Sequence, residues 1–355
     1  MLKKRMMVML ALILVITLSV GCGGTSQPAP SGEKQTAEKN NIQPQTNKSI
    51  VLTLGHVVQE KTALDEGARY FAELVKQKTN GQITVEVHAA AVLGDNRVML
   101  ESMQLGTLDM MSPALAPISG FTDKTLLFDL PYLFKSEKAA EAVLDGPIGQ
   151  QVLKELEPSG FIGLAWWTQS WRHITTKDRA VDKPADMKGI KIRVMDNPLH
   201  IAHFNAIGAS AIPMAFSEVF TSLQQGVIDG QENPYVNIKL SGFNEVQKYV
   251  IETKHIYDPI PVLVSKITWE KLSPEQQKIL TEAAIESSRW QRDYAAKQDE
   301  EIKKEFIDGG KTEIIELTPE ERQAFFEAAQ PVYKEWENKI GKDLIQKTLD
   351  AQKGF

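Results

Sequence analysis

The sequence predicts an α/β protein with largely parallel sheets. Three observations carry that expectation. From residue 49 onward, short apolar runs that read as strands alternate with amphipathic stretches that read as helices. Capping residues and glycines mark most of the boundaries between them. The composition is that of a globular chain, with 42% hydrophobic and 24% charged residues. At 355 residues, roughly two domains are expected.

The elements follow in order. Lys3, Lys4 and Arg5 precede an apolar run from Met6 to Val20, and small residues follow at Gly21-Cys22-Gly23-Gly24. This is the pattern of a secretory signal, and the run falls short of the roughly 20 apolar residues of a membrane span. An uncleaved anchor helix is the alternative. Cys22 is the sole cysteine, so an internal disulfide is excluded, and Ser19-Val20-Gly21-Cys22 resembles a bacterial lipobox. That resemblance implies removal of residues 1–21 and lipidation of Cys22, taking the net charge from −6 to −9 through loss of three basic residues. The bland alternative is a free thiol in a signal peptide. Residues 23–48 carry no aliphatic residue but Ile42 and no aromatic one, too little apolar surface to offset the entropy of ordering. The expectation is a flexible tether, 22–48, on an extracytoplasmic, lipid-anchored body. The negative charge gives no support to a nucleic-acid partner.

In the body, Ile50 to Leu54 reads as a strand, and Leu64 to Lys78 as an amphipathic helix stopped by Asn80-Gly81. Ile83, Val85 and Val87 alternate as a strand. Asp95 is expected to cap a helix reaching Gln104, Ser136 to start one that Gly146 ends, and Ser217 to cap a short one ended by Gly226. Phe161 to Trp167 and Ile190 to Met195 are apolar strand candidates. Ser273-Pro274-Glu275-Gln276 is a capping box, and nothing breaks the helix after it before Gly309-Gly310. A helix of about 35 residues is roughly 50 Å long, a strut suited to two lobes. Thr318-Pro319-Glu320-Glu321 repeats the signature before a last helix carrying Phe325, Ala329, Val332 and Trp336.

The catalytic motifs are missing. No G-x-S-x-G, H-E-x-x-H or G-x-G-x-x-G occurs, and Gly310-Lys311-Thr312 lacks the earlier glycine of a phosphate loop. His200 and His203 share a helix face, but metal sites need three or four ligands. No cofactor is expected, and the sequence makes no positive case for an enzyme.

Two arginines carry more information. Arg172 follows the Phe161–Trp167 strand and Arg193 lies inside Ile190-Lys191-Ile192-Arg193-Val194-Met195. An arginine among apolar strand residues is costly without a partner. The partner is either an internal Asp or Glu, or the carboxylate of a ligand, which a guanidinium fork serves better than lysine.

The strings DMKGIKIRVMDNP, GASAIPMAFSEVF and LQQGVIDGQENP, with LGDNRVMLESMQLGTLDM, LFDLPYLF and KYVIETKHIYDP elsewhere, closely resemble the solute receptors of TRAP transporters (tripartite ATP-independent periplasmic transporters) of the dicarboxylate-receptor type. The resemblance covers residues from about 50 to 340. It implies a two-lobed, periplasmic-binding-protein-like fold with crossing hinge strands and a long helix bracing both lobes. Lobe I is then expected at 49–169 plus 259–298 and lobe II at 170–258 plus 299–355. It implies that Arg193 pairs with a ligand carboxylate, that Arg172 and Asn233 also reach the ligand, and that His56, Met214 and Phe216 line the cleft. Trp167 and Trp171 are weaker candidates, since large aromatics are more often core. The sequence departs from the family's glycine at Ser170, and Ala114 stands where sialic acid receptors carry glutamate, which argues against that ligand. The expected ligand is a sugar acid such as a hexuronate, and the expected partner an ion-gradient-driven membrane permease. A C4-dicarboxylate receptor is the runner-up. A sensory receptor with the same cleft, or an extracytoplasmic enzyme using His173 or His255, are readings from other classes.

Overall fold

The computed structural model describes residues 49–355. The expected signal peptide, Cys22 and the tether lie outside the described residues.

The body contains eleven strands and eleven α-helices among the described residues. In chain order it opens with β1 (Ile50–Gly55), α1 (Ala63–Lys78), β2 (Ile83–His88), α2 (Asn96–Gln104), β3 (Met110–Met111), α3 (Glu137–Asp145) and α4 (Pro147–Lys154). Then follow β4 (Phe161–Trp171), β5 (His173–Thr176), β6 (Lys191–Val194), α5 (Pro198–Ala206), β7 (Ser210–Pro213), α6 (Val219–Gln224), β8 (Gly230–Asn233), α7 (Tyr235–Leu240) and β9 (Tyr249–Ile251). The chain closes with β10 (Tyr257–Ser265), α8 (Lys266–Trp269), α9 (Pro274–Gly309), β11 (Glu313–Ile315), α10 (Pro319–Ile340) and α11 (Lys342–Asp350).

Two sheets result, ordered β2-β1-β3-β10-β4 and β11-β9-β5-β8-β6-β7. The expected parallel pairings are present between β1 and both β2 and β3, between β6 and both β7 and β8, and between β9 and β11. The sheets are nonetheless mixed. β10 runs antiparallel to β3 and β4, and β5 antiparallel to β8 and β9. The reason is topological: β4 leads out of the first sheet straight into β5 of the second, and β10 returns, so the crossing strands oppose their neighbours.

Each sheet has its own apolar core. Leu54, Phe71, Met110, Trp166 and Val262 belong to the first, and Ile174, Ile192, Val194, Phe204 and Ile251 to the second. α9 joins the two regions. Ser273 and Gln276 form the capping box read from the sequence, and the helix runs unbroken for 36 residues, roughly 54 Å at 1.5 Å per residue. Leu280, Ala283 and Ala284 near its start pack into the first core, while Ile302 and Phe306 near its end pack beside β9 and α7. Midway, Gln291 bonds both Thr168 N–H and Thr168 C=O on β4, at 2.9 and 2.7 Å. Gly67 on α1 lets the two helices close on that point: a Cβ there would stand 2.4 Å from Gln291 Cγ.

The C-terminal assignment needs correction. Residues 299–355 were expected wholly in the second lobe, yet α10 passes from one core to the other. Phe325 packs with the second core, whereas Val332 and Ile345 pack with the first, Tyr333 and Trp336 alongside them. Gln352 fastens the end by donating to Leu133 C=O and accepting from Lys135 N–H, both at 3.0 Å. Local helix propensity says nothing about which core an amphipathic face will find.

Candidate functional site

β6 is flanked by β8 and β7, and Arg193 is aligned with Gln231 on one side and Ile212 on the other. Its strand neighbours Ile192 and Val194 fill the second core, so by the two-residue period of a strand Arg193 faces the opposite way. Its side chain is buried, at 2% exposure. Nε and Nη2 donate to Met214 C=O at 3.0 and 2.7 Å, and Nη1 has no partner. Among the described residues, no Asp or Glu oxygen comes within ion-pair distance of this guanidinium, which has the Phe216 ring 6.0 Å from its Cζ. Burial pulls its pKa down to about 10, partly opposed by the more distant Glu232. The group stays charged at neutral pH and lacks a counter-charge. A buried cation in that state is destabilising unless an anion is supplied.

Arg193 opens on a cavity of about 170 Å³. Its walls come from both sides of the crossing. The loop before α2 and the start of that helix contribute Asp95, Asn96 and Arg97; Pro117 and Phe121 come from the segment after β3. The β6 end and the segment after β7 contribute Met195, Asp196, Met214, Ala215 and Phe216. Asn96 Oδ1 is buried and unpartnered. Ser217 bridges the mouth, its Oγ–H donating to Asp95 Oδ2 at 2.6 Å and its N–H to Asp95 Oδ1 at 3.4 Å. Larger depressions occur elsewhere, such as one of about 680 Å³ beside Arg292. There, however, the arginine already holds Asp145 through two bonds of 2.7 and 2.8 Å.

Arg172 has the opposite environment, its guanidinium already engaged within the protein. It is the single residue between β4 and β5. Its Nε and Nη2 donate to the Glu232 carboxylate, Nη1 to Asp258 at 2.5 Å, and Nη2 also to Glu232 C=O at 2.7 Å. Four of its five N–H groups are thereby committed. Burial opposes ionisation of Glu232, but Arg172 and His255 outweigh it and hold the carboxyl well below the usual range. At Asp258 burial wins, and its pKa is raised despite Arg172. His255 bonds Glu232 through Nε2 at 3.1 Å and Thr253 through Nδ1 at 2.8 Å. The bland alternative, an internal ion pair, is the one realised.

Four other expected positions also lie away from the cavity lining. Asn233 joins the internal network, its Oδ1 accepting from Arg172 at 3.3 Å and from Asn237 at 3.2 Å. His56 is fully buried against Asp65 at 3.3 Å. Trp167 is a core residue, edge-on to Phe71 at 6.2 Å and donating Nε1–H to Ser287 at 3.2 Å on α9. Trp171 packs on Tyr257 at 5.3 Å. Trp167→Ala should therefore cost about 3–5 kcal/mol of stability in urea unfolding while leaving ligand affinity within about threefold. A tenfold loss of affinity at unchanged stability would return the residue to the cleft.

The structure thus brings together Arg193, Met214 and Phe216 and separates them from Arg172, Asn233, His56 and Trp167. Asp95, Asn96, Phe121 and Asp196 were missed as lining residues. The LGDNR string at 93–97 was the available signal for the first two, but nothing in the string says that it folds over Arg193. His200 and His203 are core residues, His200 bonded to Asp129 at 3.2 Å and His203 stacked on His255 at 5.7 Å.

Residues 54–339 match the family described as bacterial extracellular solute-binding protein, family 7 (DctP). The chain is 37% identical over 304 residues to the C4-dicarboxylate-binding periplasmic protein DctP of Rhodobacter capsulatus, covering 85% of this chain and 91% of that one. The fold superposes, at a TM-score of 0.83 and 34% identity, on the sugar acid binding protein DctPAm from Advenella mimigardefordensis in complex with galactonate, covering 86% of this chain and 98% of that one. It superposes equally, at 0.83 and 32% identity, on a TRAP periplasmic solute binding protein from Shewanella oneidensis with bound succinate, over 86% of this chain and 100% of that one.

Proposed function

The chain belongs to family 7 of the bacterial extracellular solute-binding proteins, and from that premise we propose that it captures a hydroxylated organic monocarboxylate, a sugar acid, between its two lobes. The observation that carries the reading is the pairing state of the two arginines. Arg172 is consumed by Glu232 and Asp258, so one buried guanidinium, Arg193, is left to take a carboxylate. The rest of the cavity favours hydroxyls over a second carboxylate. Asn96 and Asp196 offer acceptor oxygens to O–H donors, and the carboxylates of Asp95 and Asp196 would repel another anion. At about 170 Å³ the space is below the roughly 300–1,000 Å³ of drug-sized pockets, as suits a small acid.

The mechanism follows from the dielectric. An acidic protein cannot draw in an anion through its net charge of −6, so the local field of Arg193 must do so. The carboxylate docks on Arg193, the lobes hinge shut, and exclusion of water strengthens the ion pair. The ligand stabilises the closed form only through contacts that the open form lacks, for which Phe216 and the facing Asn96 are suited. The closed receptor then hands its cargo to a TRAP-type permease. Cys22, as a lipid anchor, would hold the body at the outer face of the membrane.

A C4-dicarboxylate is the second reading, and Arg97 favours it. That side chain lines the cavity and is engaged by Glu101 at 3.1 Å in an exposed pair, which costs little to break. Thermal shift separates the two. D-galactonate, D-galacturonate and D-erythronate are expected to raise the melting temperature with concentration, by about 2.7 kcal/mol of stabilisation at a hundredfold excess over Kd, and galactose to do nothing. A shift with succinate or malate alone would overturn the sugar-acid assignment.

A further inference from the structure

Among the described residues, five helix starts are capped by a side chain, whereas two residues able to cap, Asp95 before α2 and Ser265 before α8, make no such bond. Thr62, Ser136, Asn197, Ser273 and Thr318 each accept from a backbone N–H of the helix they precede. Asp95 occupies the same position before α2, in the extended backbone geometry of a cap, with φ −73° and ψ 170°. Aspartate is among the best capping residues. Its side chain nevertheless makes no bond to α2. The carboxylate is turned across the cavity mouth, where both oxygens accept from Ser217, one from Oγ–H at 2.6 Å and one from N–H at 3.4 Å. Ser217 lies 122 residues away, on the opposite wall. Ser217 is exposed to solvent and Asp95 half-buried, so the contact closes the mouth without fully burying a charge.

We propose that Asp95 is a two-position latch, capping α2 when the walls stand apart and releasing that cap to bind Ser217 when they meet. Rotation of one side chain exchanges one set of hydrogen bonds to a carboxylate for another. Neither position leaves the carboxylate unsatisfied, so the exchange holds the open and closed forms close in free energy. Contacts made by the ligand then decide between them, which is the condition for a receptor that must both shut on its cargo and let it go. A serine or alanine at 95 could not do this: the first caps but cannot span the mouth, and the second does neither. The latch rests on the reading of the cavity as the ligand site only in that the ligand tips the balance.

The test uses Asp95→Ser, Asp95→Ala, Ser217→Ala and the Asp95→Ser/Ser217→Ala double variant, with D-galactonate and succinate as probes. Ligand-free melting reads the cap. Asp95→Ser and Ser217→Ala are expected to melt with the wild type, and Asp95→Ala about 2–4 °C lower. Stopped-flow dissociation of whichever acid binds reads the latch. Each single variant at the mouth is expected to release it about 3- to 30-fold faster, and the double variant no faster than the singles, because both remove one interaction. Losses that multiply in the double variant, or a silent Ser217→Ala beside a damaging Asp95→Ser, would make Asp95 a ligand contact and overturn the latch. Asp95→Ala melting with the wild type would overturn the alternation, and this readout needs no ligand. Failure of both acids to bind the wild type would instead count against the cavity reading, leaving the melting comparison to decide the latch.

Discussion

Arg193→Ala is expected to abolish capture of the acid while leaving the ligand-free protein as stable as the wild type or slightly more so. The two halves of this result have one cause. In the ligand-free protein the guanidinium is buried and, among the described residues, has only Met214 C=O as acceptor and no carboxylate within reach. Deleting it removes a desolvated, uncompensated charge, whose effective penalty is several kcal/mol. In the complex the same group is the ligand's counter-ion, and truncating one member of a buried charge pair costs about 2–5 kcal/mol. That is a loss of roughly 30- to several-thousand-fold in affinity, to be read by titration calorimetry with the acid that binds best. Tight binding by the variant would sink the site assignment. Arg193→Lys should recover little, because a point charge cannot bond Met214 C=O and a carboxylate as a fork does.

Arg172→Met should behave in the reverse manner, with a large loss of stability whatever it does to binding. Removing one partner from a buried ion pair leaves the others uncompensated, at a cost of about 3–5 kcal/mol. Here it strands Glu232 and Asp258 together, both almost fully buried. The pH dependence supplies a second signature. In the wild type Glu232 is held below its ordinary value, so its contribution is present above the unfolded carboxylate pKa of about 4.3 and is lost as pH falls below it. Without Arg172, burial should raise the Glu232 pKa above the unfolded value. The variant would then lose more stability than the wild type as pH rises from about 4 toward 7. Urea unfolding between about pH 4 and 8 measures both effects. A variant as stable as the wild type at pH 7 would show that the network is dispensable.

These two arginines also mark where sequence reasoning stopped. Both sit next to apolar strand residues, both invite the same question about their partner, and family resemblance implied the same role for each. What separates them is register. Pairing of β5 with β8 sets His173 opposite Asn233 and Ile174 opposite Glu232, bringing Glu232 to Arg172 from 60 residues away, and Asp258 arrives from 86 away. Among the described residues, no such acid reaches Arg193. Asp95 and Ser217 fail in the same way. Each is a proper cap by local rules, yet they bond to one another.

Much else was already present in the chain. The capping boxes at Ser273 and Thr318 start the two longest helices at Pro274 and Pro319, because a cap needs only residues three apart. The strand and helix alternation, the strut and the family motifs are likewise properties of contiguous segments, so one sequence sufficed to read them. The mixed character of the sheets, the return of α10 and α11 to the first core, the burial of Trp167 and the choice of which arginine stays unpaired are relations between segments far apart in the chain. Burial and pairing energies of several kcal/mol outweigh local preferences of about 1 kcal/mol, so only the folded chain could decide them.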